Sequence, residues 1–264
     1  MTLLVATGLS KAFGVVVAAR NVSFTVEAGQ MVAIIGPNGA GKSTTFNIVG
    51  GQLQPDAGTV MLDGMPVTRQ PPRNIWRQGV GRTFQVAQTF VSMTVAENVQ
   101  IALISHHGEA RSILGRATDR YRDEAVGLLT QVGLREAAAR PVGELAYGDV
   151  KRLELAIALA SRPKLLLMDE PTAGMAPRER AGLMTVTADL ARERRIGVLF
   201  TEHDMDAVFG HADLILVLVR GEIIARGSPD AIRADARVRQ VYLGDIGSLA
   251  AARATRSLHP AGEP

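Results

Sequence analysis

Nine consecutive residues, Gly36-Pro37-Asn38-Gly39-Ala40-Gly41-Lys42-Ser43-Thr44, combine glycines, one lysine and two hydroxyls at a spacing suited to gripping a polyphosphate. They fit G-x-x-x-x-G-K-[ST], a phosphate-binding loop. Gly36, Gly39 and Gly41 let the backbone fold tightly enough to aim successive N–H groups into one concavity, which Asn38 and Thr44 share. A helix starting directly after the loop adds its positive end. Lys42 offers a compact cation to the β- and γ-phosphates, and the Ser43 hydroxyl is a ligand for Mg²⁺. Of 29 basic residues only Lys11, Lys42, Lys151 and Lys164 are lysine, so the loop takes a point charge in a chain that otherwise chooses Arg.

A second set of groups lies more than a hundred residues downstream. Asp169-Glu170 follows the apolar run Leu165 to Met168, and an acidic pair at the carboxyl end of a buried strand is where an α/β sheet presents its chemistry. Asp169 suits Mg²⁺, and Glu170 suits the orientation and deprotonation of a water. His203 ends the next apolar run, Gly197 to Phe200 followed by Thr201-Glu202, on the same edge of the sheet. It reads either as a contact to a γ-phosphate or as a solvated histidine at a helix start.

The elements that must hold these groups can be read from apolar periodicity. Residues 3 to 35 carry four short β-prone runs (Leu3 to Ala6, Val15 to Ala18, Val22 to Val26, Met31 to Ile35) broken by Gly and Asn, which predicts an antiparallel start. Gly58 to Gly64 reads as a further strand, Arg73 to Gln78 as a short helix and Gly79 to Phe84 as a strand. Thr94 with Glu97 three residues on forms a capping box for a helix to about Ile104. The spacing then predicts a loop over 105–118 and helices over 119–132 and 134–140. Alternating buried strands and amphipathic helices from Leu165 to Val219 predict a parallel sheet with crossover helices. Gly221 to Gly227 reads as a hairpin partner, with short helices from Ser228 and over 238–243. Phe13 is either a core residue or an aromatic platform for a base, and Phe90, Val91 and Met93 are either core or contacts for a partner. His106-His107 has no spaced partner ligands and reads as a solvated pair.

Composition narrows the function classes. The chain has 264 residues, 47% of them hydrophobic and 4% aromatic, with a formal charge of +3. Its arginines are spread among acids without interleaved aromatics, so no nucleic-acid partner is expected. Zero cysteine excludes disulfides, thiolate catalysis and cysteine-ligated zinc. The first residues lack the pattern of a signal peptide, and the longest apolar run, Leu214 to Val219, is too short to span a bilayer. Any role at a membrane would therefore rest on partner chains.

Together these residues resemble the ATP-binding subunit of ABC transporters over nearly the whole chain, Leu3 to Gly244. The phosphate loop corresponds to Walker A, Gln85 to the Q-loop glutamine, Leu145-Ala146-Tyr147-Gly148-Asp149 to the signature motif, Asp169-Glu170 to Walker B and His203 to the switch histidine. Arg82-Thr83-Phe84-Gln85, the L-A-Y-G signature and the Arg237 to Gly244 ending are similar to subunits of branched-chain amino acid importers. The resemblance implies a P-loop NTPase core with a mostly parallel sheet, an N-terminal antiparallel β subdomain and an α-helical subdomain inserted at about 86–162. Residues 1–244 would be the ATP-binding domain and 245–264 a flexible tail. It further implies ATP and Mg²⁺ as ligands, with Phe13 stacking on adenine and Gln85 joining Ser43 and Asp169 at the metal. Glu170, His203 and Gln85 would be the catalytic set, and Ala146 and Gly148 would face the nucleotide of a second ATP-binding subunit. Membrane permease subunits and, indirectly, a solute-binding protein complete the implied assembly, which places the chain on the cytoplasmic face of the membrane. Importers of urea, amides or aromatic acids, or a soluble non-transport ABC ATPase, are the alternatives. Two departures stand out: Ala146 takes the place of the usual signature serine, and Ala176 the place of the usual Asp or Asn after Walker B.

Overall fold

The computed structural model describes residues 1–83, 89–109 and 121–241. Gln85, the remainder of the 105–118 loop, the Tyr242 to Gly244 ending and the 245–264 tail lie wholly or partly outside these residues. Two sheets organise the rest. The first is antiparallel and is built on β1 (Thr2–Phe13), β2 (Val16–Glu27), β4 (Ala57–Leu62) and β5 (Met65–Pro66), in the order β2-β1-β4-β5. The second runs β10-β9-β3-β8-β7-β6. Its members are β3 (Met31–Ile35), β6 (Val80–Thr83), β7 (Leu165–Asp169), β8 (Gly197–Thr201), β9 (Leu214–Val219) and β10 (Glu222–Gly227). All its pairings are parallel except β10 with β9.

The central parallel strands are largely apolar, with polar residues such as Asp169 and Thr201 at their carboxyl ends, because both faces are covered. Along β3, Met31, Ala33 and Ile35 join one core while Val32 and Ile34 join the other. The same alternation sends Leu166, Met168, Val198 and Phe200 one way and Leu165, Leu167 and Leu199 the other. On the first side pack α3 (Val95–His106), α4 (Arg122–Gln131), α5 (Tyr147–Leu159) and α6 (Pro177–Arg194), through Val99, Leu103, Leu129, Leu153 and Met184. On the second lies α1 (Lys42–Val49), whose Phe46, Ile48 and Val49 are pressed against the antiparallel sheet. The remaining helices are α2 (Pro72–Arg77), α7 (Met205–His211) and α8 (Pro229–Ala234), and residues 236–241 are also helical. The expected fold class is therefore found: an α/β core, an antiparallel β layer at the N-terminus, and helices α3 to α5 inserted between β6 and β7.

Local boundaries depart from the sequence reading where bulges or caps intervene. The first three β-prone runs are not separate strands but segments of two twelve-residue strands, whose register slips between Ala6 and Leu9 and between Leu9 and Lys11. Gly8 (φ 62) and Asn21 (φ 50) take left-handed conformations that break the sequence pattern without ending the pairing. Helix α3 extends to His106, two residues beyond the expected end. Helix α4 starts only at Arg122, because Tyr121 caps it with φ 56. In place of the 134–140 helix there is one 3-10 turn, Arg135–Ala137, with a second at Val142–Glu144.

Candidate active site

The loop 36–41 joins β3 to α1, and its glycines are dictated by neighbouring backbone. A side chain at Gly36 (φ 153) would begin 2.1 Å from the Leu218 carbonyl oxygen, and one at Gly41 (φ 99) would begin 2.0 Å from that of Ala18. Gly41 is the N-cap of α1, so Lys42 and Ser43 occupy the first helical positions. Asn38, Gly39 and Ser43 are exposed, and Thr44 is half-buried. Lys42 is buried and donates to the carbonyls of Gly36 at 2.7 Å and Pro37 at 3.2 Å. Burial holds its ammonium below the usual lysine range, opposed by the charges of Glu170 and Asp169. A cradle that admits no Cβ at two of its glycines, with a cation within it, fits a polyphosphate.

Strands β7, β8 and β3 end side by side. Asp169 pairs with Thr201 across β7 and β8, and Ile34 of β3 pairs with Thr201 from the other side. Thr201 uses both of its polar groups on the acidic pair. Its hydroxyl donates to Asp169 Oδ1 at 2.7 Å, while its carbonyl and hydroxyl oxygens each lie 3.1 Å from the Glu170 N–H, which donates to them. Glu170 sits at φ 48, a left-handed turn that is uncommon for a side chain this long and is found at functional sites. Its Oε1 lies 3.0 Å from His203 Nε2. The His203 side chain is 50% exposed, so it is not a core histidine.

Sequence reasoning gave Arg82 only as part of a family motif, with no role in the site, and did not name Asn47. The Arg82 guanidinium reaches to 3.7 Å from Asp169, donates to Asn47 Oδ1 at 2.9 Å and lies over the Phe46 ring at 4.9 Å. Burial lowers its pKa, and the Asp169 charge raises it. Its position on a strand ending at Thr83, which pairs with Met168, is the signal that links it to Asp169, and that pairing is invisible in sequence.

Phe13 is 51% exposed at the tip of the β1–β2 hairpin, with Lys11 Nζ 5.7 Å from its ring centre, which removes the core alternative. Phe90 and Val91 are likewise exposed, at 56% and 64%, whereas Met93 is half-buried. Ala146 caps α5 with an extended backbone (φ −65, ψ 152) and no side-chain hydrogen bond, and Tyr147 beside it is exposed. Gly148 is buried because the Glu179 carboxylate lies where its side chain would begin, with carbon at 2.9 Å. The backbone N–H of Ala176 donates to Glu179 Oε2 at 3.2 Å within the first turn of α6, and its alanine side chain makes no hydrogen bond. His106 and His107 pack with aromatic rings: His107 stacks on Tyr121 at 4.5 Å and His106 meets the edge of Trp76 at 6.0 Å.

The structure thus gathers the phosphate loop, Asp169, Glu170 and His203 along one edge of the sheet, and sets Ala146 to Gly148 against the segment that follows β7. Comparison with known proteins gives the family. The family model described as ABC transporter matches residues 19–173, and that described as Branched-chain amino acid ATP-binding cassette transporter matches 222–246. The chain is 40% identical over 246 residues to the high-affinity branched-chain amino acid transport ATP-binding protein BraF of Pseudomonas aeruginosa, covering 90% of this chain and 96% of that one. It is 38% identical over 253 residues to LivG of Escherichia coli, of the same description, covering 92% and 98%. The solved ADP conformation of MJ1267, an ATP-binding cassette of an ABC transporter, superposes with a TM-score of 0.83 at 32% identity over 92% of this chain and 99% of that one. The chain belongs to the ABC transporter family of ATP-binding proteins, in its branched-chain amino acid branch.

Proposed function

We propose that this chain is the ATP-hydrolysing subunit of an importer for branched-chain or other hydrophobic amino acids. One observation carries the reading: a phosphate loop, an acidic pair and a histidine converge at the carboxyl ends of three adjacent parallel strands, in a chain 40% identical to a branched-chain amino acid transport ATP-binding protein. Backbone N–H groups of the 36–41 loop and the start of α1 hold the β- and γ-phosphates, with Lys42 as their counter-charge and Asn38, Ser43 and Thr44 alongside. Phe13 stacks on the adenine, its exposed ring backed by Lys11. Ser43, Gln85 and Asp169 hold Mg²⁺, which offsets phosphate charge when bound; two hydroxyl or amide groups and one carboxylate, with phosphate oxygens, suit its oxygen preference. Glu170 orients a water in line with the γ-phosphorus and accepts its proton. His203, hydrogen-bonded to Glu170, fixes that carboxylate and faces the γ-phosphate.

A second ATP-binding subunit completes each site. The exposed Ala146 and Tyr147 form the edge that meets the partner's nucleotide, with the α5 N-terminus supplying N–H groups. Among the described residues no helix is long and apolar enough to cross a membrane, so attachment to the cytoplasmic face is through permease subunits. A groove of about 460 Å³ between α2 and α3, lined by Pro72, Trp76, Phe90, Ile101 and Ala102, suits a short helix of such a permease. The test is to isolate the chain from solubilised membranes and measure its ATPase with solute-loaded binding protein. Recovery of integral membrane subunits and stimulation by a leucine- or isoleucine-loaded binding protein support the reading. Recovery of only ribosomes or DNA would overturn it.

A further inference from the structure

Glu202 is a carboxylate that the scheme above does not use, and it is 3% exposed. Oε1 accepts from the Thr172 N–H at 2.8 Å and from the Thr172 hydroxyl at 2.6 Å. Oε2 accepts from the N–H of His203 at 3.1 Å and more weakly from that of Asp204 at 3.5 Å. Three of the four partners are backbone N–H donors and the fourth is a hydroxyl, so a carboxylate answers them all, whereas an amide would turn its NH₂ toward a backbone donor. A buried charge is tolerated only when it is met in this way.

The two ends of the clamp are the two segments that carry the proposed chemistry. Thr172 lies two residues beyond Glu170, and His203 directly follows Glu202. Asp204 goes on to cap α7 through Ala207 N–H at 2.8 Å and pairs with Arg180 of α6. Two residues past Thr172, Gly174 lies against the Tyr147 ring, whose nearest carbon is 3.3 Å from where a Gly174 side chain would begin. Glu202 therefore connects the histidine loop to a segment that touches the signature edge.

We propose that Glu202 is a positioning residue whose ionised carboxylate ties the His203 loop to the Thr172 segment, fixing His203 on Glu170 and transmitting its position toward Tyr147. The inference rests on the ATPase reading above. It concerns the rate of the chemical step and not nucleotide affinity, because Glu202 touches neither the phosphate loop nor Phe13.

Steady-state ATPase and binding of a fluorescent ATP analogue are measured on the full chain for wild type, Glu202→Gln, Thr172→Val and the double variant. Glu202→Gln keeps the volume and removes one acceptor; kcat is expected to fall about 10- to 100-fold with analogue affinity within about twofold of wild type. Thr172→Val, which removes one of the four donors, lowers kcat less, and the double variant is no worse than Glu202→Gln alone. Wild-type kcat in Glu202→Gln, or multiplied losses in the double variant, would overturn the proposal. Amide hydrogen exchange at 172 and 203 reads the clamp without nucleotide: faster exchange at both in Glu202→Gln supports it, and unchanged exchange contradicts it. A wild-type chain that binds but never hydrolyses ATP would fail the ATPase reading, while the exchange result still decides the clamp.

Discussion

His203 Nε2 and Glu170 Oε1 lie 3.0 Å apart, bridging the ends of the neighbouring strands β8 and β7. The contact holds a carboxylate on a left-handed turn against an exposed imidazole, so each limits the other's rotamers. Replacing His203 by Ala frees Glu170 while leaving the phosphate loop intact. The expected result is a loss of about 10²-fold or more in kcat with ATP binding retained, measured by single-turnover hydrolysis beside equilibrium binding. Loss of binding with unchanged turnover of bound ATP would contradict the assigned role.

The loop glycines should differ from one another. Gly36→Ala and Gly41→Ala each drive a side chain into a carbonyl oxygen at close to 2 Å, 2.1 Å from Leu218 and 2.0 Å from Ala18, and should abolish ATP binding. At Gly39 (φ 76) an added Cβ meets nothing within 4 Å, so Gly39→Ala incurs only the left-handed strain of about 1–2 kcal/mol. Thermal unfolding of the three variants without nucleotide checks the order.

Ala146 is the N-cap of α5 and makes no side-chain cap. Ala146→Ser adds a hydroxyl able to accept from the first turn, worth about 0.5–2 kcal/mol to the helix. The chain should gain stability and keep or modestly raise its ATPase. A dead enzyme would mean that this residue does not face phosphate.

The capping box of α3 gives a prediction in pH. Thr94 donates its N–H and its hydroxyl to Glu97 Oε2, each at 2.8 Å, and these bonds hold the Glu97 carboxyl below its usual range. A depressed folded pKa stabilises the fold fully above the unfolded value of about 4.3 and is lost as pH falls through the folded value. Thr94→Ala should therefore cost about 1 kcal/mol, roughly 2–4 °C in Tm, at pH 7. The gap between variant and parent should narrow near pH 3, as followed by circular dichroism.

What could be read in the sequence divides by the range of the interaction. The phosphate loop, the acidic pair after Leu165 to Met168 and the Thr94–Glu97 cap are local patterns, and the folded chain carries each where its spacing implies. Phe13 and Phe90 were ambiguous because an aromatic side chain looks the same in sequence whether it is packed or exposed. The roles of Arg82 and Glu202 could not be read because they are non-local: Arg82 acquires its role from β6 pairing with β7, and Glu202 from Thr172 thirty residues earlier. The N-terminal strands were cut too short because Gly8 and Asn21 mimic turns but are bulges.

The central claim is that Glu170 activates the water that attacks ATP held by the 36–44 loop. The most direct test is Glu170→Gln, which keeps the shape of the side chain and removes the base. The account predicts that this variant binds MgATP, accumulates as a nucleotide-bound dimer on size-exclusion chromatography, and hydrolyses ATP about 10²- to 10⁴-fold more slowly than wild type. Steady hydrolysis at the wild-type rate would contradict it.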